Sequence, residues 1–431
     1  MKISCLNIFV TYDFSDLLTK RKMWERLRIL QLDYCDLPTM MSTLSFLLRA
    51  YGLNIDKKNK KPIPVIVYIL QIAMSFNYFY VYLLSMIWYV FVRYPETGDL
   101  VSAMVFASLG ISTEIGIMKL FYFHFNCGKI RDIVEEYLAC DAQVELRSRF
   151  ANNIFKKLRV VKKRAIVYWL VIMLNAIFYV ATPLMKPGRH MTEDHMVIYG
   201  LEPKYETPYF EIGFFITCIS VFFICYAVAH ISAFIIIING YTEAQMTALS
   251  EEIINLWDDA TKHYQDTIKY SVFEESYDIK NIIINDYVRE HLKFIIKGHA
   301  KNINMLRHVE AVLKHCVAIG FLCLILGLLT ELLGGLENTF LQLPFTLIQV
   351  GMDCYTGQKV IDASEVFSAA VYDSKWENFD KSNMQMVLLI LLNSQKTMKL
   401  SVGGLTTLSF GSFMSILKST YSAYTALRTM V

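Results

Sequence analysis

Residues 294–333 read FIIKGHAKNINMLRHVEAVLKHCVAIGFLCLILGLLTELL. The stretch has no proline, and its second half is almost continuously apolar. A helix over its whole length would run about 60 Å at 1.5 Å per residue. That is twice the roughly 30 Å hydrocarbon core of a bilayer. Residues 318–333 suit a membrane span. Residues 297–315 are polar, with Ile303, Leu306, Val309, Val312 and Leu313 at helical spacing. An amphipathic helix needs a surface to cover. The stretch therefore predicts a membrane helix that continues into a helical domain outside the bilayer.

Other runs of spanning length lie at 64–92, 100–123, 165–184, 209–238, 340–355 and 400–427. Together with 318–333 they predict an all-α, polytopic membrane protein with seven transmembrane helices. Composition agrees: of 431 residues 55% are hydrophobic and only 19% are charged, against about 25% charged in soluble proteins. The net charge of +3 gives no field suited to nucleic acid.

Lysine and arginine set the orientation. Counted over 1–62, 124–164, 240–300 and 359–399, lysine and arginine number 32, against 5 over the loops on the other side and the tail. The N-terminus is expected in the cytoplasm and, with seven spans, the C-terminus outside. A G-protein-coupled receptor has the opposite orientation. Residues 1–10 are too short for a cleavable signal, and 20–28 are charged.

The expected division is a cytoplasmic lead-in at 1–62, a ligand-binding bundle of the first four spans at 63–293, helices five, six and the first half of seven at 294–399, and the second half of seven at 400–431. The sixth span continues past the membrane through Val360, Ala363, Val366, Phe367, Ala370 and Val371. The run 384–392 is too short to cross and is broken by Asn393–Lys399. These extensions of helices 5, 6 and 7 predict a cytoplasmic anchor. The acidic stretch 240–300 reads as a solvated loop.

Enzyme chemistry finds little support. No Walker loop, GxGxxG, HExxH or CxxC occurs, so no cofactor is expected. His291, His299, His308 and His315 lack the i, i+4 spacing of a helical metal site. The nine cysteines read as small apolar packing residues. Few ionisable residues lie deep in the spans: Glu114 and Lys119 lie in the second and Glu331 at the outer end of the fifth, where a proton-coupled transporter is expected to carry more.

The last span, SVGGLTTLSFGSFMSILKSTYSAYTAL at 401–427, is far more polar than the others. On a helix, Leu405, Leu408, Ser412, Ser415 or Ser419, and Ser422 fall near one face. Such a face could line a water path gated by leucines. Close packing through small residues fits the spacing equally well.

The C-terminal third resembles the insect odorant receptors. The resemblance rests on Cys354-Tyr355-x-Gly357-Gln358, Ser364, Ala370, Tyr372, Trp376, Ser394-Gln395-Lys396, Gly403-Gly404, Leu408-Ser409, Phe413, Ile416-Leu417-Lys418 and Tyr421-Ser422, with His299 and Glu310 upstream. The related gustatory receptors end in Thr-Tyr, five apolar residues and Gln-Phe. Here Thr420-Tyr421 is followed by Ser-Ala-Tyr-Thr-Ala-Leu-Arg, which favours the odorant receptors.

The resemblance implies a tuning subunit of an odorant-gated, non-selective cation channel in the plasma membrane of olfactory neurons. Its implied partners are the odorant receptor co-receptor, in a heterotetramer, a small volatile ligand and membrane lipids. Tyr372, Trp376 and Ser394 fall in the implied anchor. Leu408 falls at the hydrophobic gate, Leu405 one turn below, and Ser412 departs from the apolar residue of the co-receptor. The ligand pocket is expected in the outer half of helices two to six, near Phe106, Met173, Ile177, Phe214, Cys218, Ile325 and Leu329.

Overall fold

The computed structural model describes residues 34–57, 62–269 and 277–429. Residues 1–10 and 20–28, read above for signal character, lie outside them. The order is α1 (Leu37–Leu48), α2 (Val65–Thr97), α3 (Leu100–Phe125), α4 (Cys127–Asp141), α5 (Arg149–Met185), α6 (Tyr209–Ile254), α7 (Leu256–Lys269), α8 (Tyr277–Gly334), α9 (Gln342–Tyr372), α10 (Lys381–Ser394), β1 (Ser401–Val402), β2 (Thr406–Thr407) and α11 (Phe410–Arg428). Side-chain caps fix several starts: Asp99 accepts from Ser102 N, Ser148 from Ala151 N, Asp380 from Asn383 N and Ser409 from Ser412 N.

The helices expected as spans are all present, as α2, α3, α5, α6, α8, α9 and α11. Among the described residues, five helices are long and apolar enough to cross a membrane: α2, α3, α5, α6 and α8. α9 and α11 are more polar and fall short of that measure. α8 is continuous over 58 residues, about 87 Å. The division expected at 293/294 falls inside it, so bundle and anchor share one helix.

α6 is apolar on all sides and buried along nearly its whole length. It forms the axis of the bundle, packed by α5, α9, α8, α3, α1 and α2. α2 and α5 turn most of their apolar windows outward, as lipid-facing helices do. α1 packs under the apolar part of α6, where the Tyr51 hydroxyl donates to the Phe223 carbonyl and the Tyr226 hydroxyl to Leu47 O at 3.3 Å.

The stretch 240–300 is not a solvated loop. α6 runs through it to Ile254, α7 follows, and α8 begins at Tyr277. Its acidic residues meet the basic stretch of α5. Glu243 is buried between Arg164 at 2.9 Å and Lys157 at 3.1 Å. Arg149 reaches Glu252 and Asp259, both at 2.7 Å. The stretch read as solvated charge is one side of an antiparallel, ion-paired helix interface with α5.

The last segment also differs from expectation. Residues 400–427 are not one helix. Gly403 and Gly404 take φ of +61° and +80°, which ordinary residues rarely adopt. They reverse the chain into a two-stranded hairpin, with Ser401 paired to Thr407 and Val402 to Thr406. Only then does α11 begin. Leu405 and Leu408 therefore sit on the hairpin and share no helical face with Ser412.

The hairpin is seated on α9. A Cβ at Gly357 would stand 2.2 Å from Leu408 O. The contact is backbone, so the neighbour cannot swing aside. Gly357→Val should displace the hairpin. The expected result is a chain that reaches the cell surface but unfolds at a lower temperature in detergent, read by surface labelling alongside thermal melting. An unchanged melting temperature would refute this seat.

Candidate functional site

A cavity lies in the bundle, walled by Tyr82 of α2, Leu109, Ser112 and Thr113 of α3, Asn175 and Tyr179 of α5, Val221, Ile224 and Cys225 of α6, and Leu341, Gln342 and Phe345 at the start of α9. Its volume is about 30 Å³, room for little more than a water. Pockets for drug-sized ligands are roughly ten times larger, so any ligand must push the walls apart. Tyr82 is carried on a π-helical segment, Phe79–Leu84, inside α2. Such bulges recur at functional sites.

None of the seven residues expected to line a pocket lines this one. Phe106 is buried one turn away, edge-on to Tyr89 with centroids 5.8 Å apart. Met173 and Cys218 are half-buried neighbours of the wall. Phe214 stacks on Phe210. Ile177 faces outward, 49% exposed. Ile325 and Leu329 are half-buried on α8, which supplies no lining residue. Helices two, three, four and six of the expected set do supply the wall, but at other rotations. The missed residues had a signal: Tyr82, Ser112, Thr113, Asn175, Tyr179 and Gln342 are polar side chains inside apolar runs, where each needs a reason.

Three polar rungs join α3 to the α9 side of the bundle. Ser108 Oγ donates to Gln342 Oε1 at 2.6 Å. Ser112 Oγ and Thr346 Oγ1 both donate to Glu331 Oε1, at 3.0 and 2.6 Å. Lys119 Nζ donates to Asp353 Oδ2 at 2.6 Å, and both side chains are buried. The first and last rungs share a sequence offset of 234 residues, so α3 and α9 run parallel in fixed register. Asp353 is the partner that Lys119 lacked in the sequence reading.

The connection 186–208 folds over the outer end. Met191, Met196 and Ile198 are buried. Gln342 Nε2 donates to Glu193 Oε2 at 3.0 Å, and Ser102 Oγ lies 2.8 Å from His195 Nδ1. Burial pushes the Glu193 carboxyl up to about 7, against the opposing hydrogen bond from Gln342.

The residues that carry the C-terminal resemblance converge where the hairpin meets α9. Beyond the Gly357 contact, Gln358 Oε1 accepts from Phe410 N at 3.3 Å, at the start of α11. The Tyr355 ring packs on Phe410 with centroids 5.6 Å apart, and the Arg164 guanidinium lies 4.8 Å over it. Ser364 Oγ accepts from Met398 N at 3.0 Å, and Ser394 Oγ donates to Ser368 Oγ at 3.2 Å. Leu408 is buried, 2% exposed, whereas Leu405 is 93% exposed. Ser412 Oγ lies 3.0 Å from Thr406 Oγ1. α11 turns Phe413, Ile416, Leu417 and Thr420 inward and exposes Gly411, Ser415, Lys418, Ser419 and Ser422. Ser394 is buried, while Tyr372 and Trp376 are exposed, the indole of Trp376 donating to Tyr372 O at 3.1 Å.

The bundle, its outer cavity and its terminal hairpin and helix define a helical membrane receptor fold. It is similar to the solved olfactory receptor OR5 from Machilis hrabei, with a TM-score of 0.68 at 13% identity over 90% of this chain and 97% of that one. The same receptor in complex with eugenol matches with a TM-score of 0.67 at 12% identity over 92% and 99%. The family model described as 7tm Odorant receptor matches residues 96–421, and this chain belongs to that family. Among curated relatives, odorant receptor 85b of Drosophila melanogaster is 33% identical over 91 residues, which is 21% of this chain and 23% of that receptor. Odorant receptor 67c of the same species is 31% identical over 84 residues, 20% of this chain and 21% of that receptor. These alignments therefore span less than a quarter of the relatives' length.

Removing one partner of a buried ion pair strands the other charge, at a cost of about 3–5 kcal/mol. Asp353→Ala should cut surface expression and detergent-extracted thermal stability sharply. Lys119→Met combined with Asp353→Leu should do less harm than either single change. A double variant worse than both singles would contradict the pairing.

Glu193 gives a pH dependence. Its folded pKa is raised, so the folded chain holds more protons than the unfolded chain between the ordinary carboxylate range and about 7. Stability should therefore fall as pH rises through that window. Melting temperature measured across pH 4.5 to 8 should drop, and Glu193→Gln should flatten that part of the curve.

Proposed function

We propose that this chain is the odorant-recognising subunit of a non-selective cation channel opened by small volatile molecules. It resides as a multi-pass protein in the plasma membrane of olfactory sensory neuron dendrites, with its N-terminus in the cytoplasm. The observation that carries this reading is the reach of one helix. α9 walls the cavity through Gln342 and Phe345 and seats the hairpin through Gly357. A ligand that forces the cavity open moves the helix on which the last segment rests. The eugenol complex of the Machilis receptor supports a small organic ligand for this fold.

α11 supplies the wall of the pore through its exposed face of Ser415, Ser419 and Ser422, with Ser412 at its inner edge. Leu405, exposed at the hairpin tip, supplies the apolar constriction, and a ring of such residues can close a pore by dewetting. Leu408, gripped by α9, is the lever that moves it. One chain gives one wall, so partners complete the pore. Tyr372 and Trp376, with the exposed Val366, Leu388, Leu389 and Leu392, form an apolar surface on the anchor. Exposed apolar patches of this kind mark association sites. The partner is the odorant receptor co-receptor, in a heterotetramer. The buried Ser394 contributes by fixing α10 on α9.

Cells expressing this chain with the co-receptor should give odorant-evoked inward cation current, and the co-receptor alone should not respond to the same volatiles. Leu405→Ala should raise the basal current without odorant. Responses that need no co-receptor and run through a G protein would sink the reading.

A further inference from the structure

We infer that the ligands of this chain carry a carbonyl oxygen, as ketones, aldehydes or esters do, and that Tyr179 and Tyr82 hold it. The inference rests on the odorant-gated reading above and names its ligand class.

The cavity wall has few polar groups, and most are already occupied. Ser112 Oγ donates to Glu331. Thr113 Oγ1 donates to the carbonyls of Leu109 and Gly110, at 3.0 and 2.9 Å. Gln342 uses its carbonyl oxygen on Ser108 and its amide nitrogen on Glu193, and Asn175 Nδ2 donates to Leu341 O at 3.4 Å. None of these has its main donor free for a guest.

Tyr179 is the exception. Its side chain is 6% exposed, it lines the cavity, and its hydroxyl makes no hydrogen bond of good geometry, the neighbouring Thr192 hydroxyl being likewise unpaired. Tyr82 lines the same cavity from α2, on the π-helical segment, and is 1% exposed. Around them Leu109, Val221, Ile224 and Phe345 offer only apolar contact. A buried O–H without an acceptor is costly, and native structures rarely leave one so.

The missing partner of the Tyr179 phenol is an acceptor. A carbonyl oxygen has two lone pairs and no proton of its own, so it can take the Tyr179 hydroxyl and have a lone pair left for that of Tyr82. An alcohol can also accept, but its own proton must at the same time reach Asn175 Oδ1, on a side chain already tied through its amide to Leu341 O. The free oxygens of Glu331 and Gln349 do not line the cavity; they belong to side chains bonded to Ser112 on its α8 and α9 side. A hydrocarbon leaves Tyr179 unsatisfied. The expected order of potency on one carbon skeleton is carbonyl compound, then alcohol, then hydrocarbon. The small volume favours light molecules in all three classes.

The test is a panel of volatile ketones, aldehydes, esters, alcohols, amines and hydrocarbons on matched skeletons, such as acetophenone, 1-phenylethanol and ethylbenzene, applied to cells carrying the full chain and the co-receptor. Carbonyl members should be the most potent. Tyr179→Phe keeps the ring and removes the hydroxyl. It should lower potency for carbonyl members by about five- to tenfold, the worth of one neutral hydrogen bond, with hydrocarbon responses and surface labelling unchanged. Tyr82→Phe should add to the loss. Alcohols, amines or hydrocarbons matching or exceeding the carbonyl members overturn the inference while leaving the receptor reading intact, as does a carbonyl preference that survives both substitutions. Silence toward every class overturns the odorant-gated reading and the inference with it.

Discussion

The ion pair between Lys119 and Asp353 is the constraint around which this bundle is organised. Both charges are buried, 2.6 Å apart, inside a helical membrane protein. An unpaired charge there is expensive, and a pair is tolerable only when each partner finds the other in good geometry. The requirement fixes the rotation of α3 and α9 and their relative height. The Ser108–Gln342 rung, at the same sequence offset, fixes the other end of the contact. Two parallel helices tied at both ends cannot slide independently.

That rigidity gives α9 its role. Its first turns wall the cavity, its middle carries the ion pair, and its next turn receives Leu408 and the start of α11. The small residues there serve a purpose that bulk would defeat. Gly357 admits backbone, Ser364 accepts the Met398 amide, and Ser368 meets Ser394. Outside the apolar spans, α5 and α6 add charge to apolar packing. Glu243 sits between two cations, and Arg149 bridges two carboxylates. Beside them Ile154, Leu158, Met246, Leu249 and Ile253 are buried, so the apolar core continues into this part of the bundle.

Much of this architecture was legible from residues alone. The length and proline-free character of 294–333 required a helix longer than a membrane is thick, and α8 is that helix. The split at Asn393–Lys399 marked the end of α10. The rotation of each helix was not legible. A helix in a lipid-wrapped bundle is apolar on the face that meets lipid and on the face that meets its neighbours. Ile177 and Tyr179 are two residues apart on α5, yet one faces outward and the other lines the cavity. The Tyr179 hydroxyl was the one local hint that separates them. Pairing was hidden for a related reason: acidic 240–300 looks like solvated surface until it meets the basic residues of α5.

The sequence by itself therefore determined the class of fold and the membrane-compatible lengths of its long helices, because these depend on hydropathy and on rise per residue. It also carried the C-terminal pattern whose residues gather at the hairpin seat. Only the tertiary structure decided which side chains wall the cavity, which cation meets which carboxylate, and that Gly403 and Gly404 turn the final segment into a hairpin before α11 starts. The cavity wall and the ion pairs depend on helix rotation and on contacts between residues distant in the chain, such as Lys119 and Asp353, which no local pattern encodes. Gly403-Gly404 is a local turn signal, but only its seat against Gly357 decides that the chain reverses there.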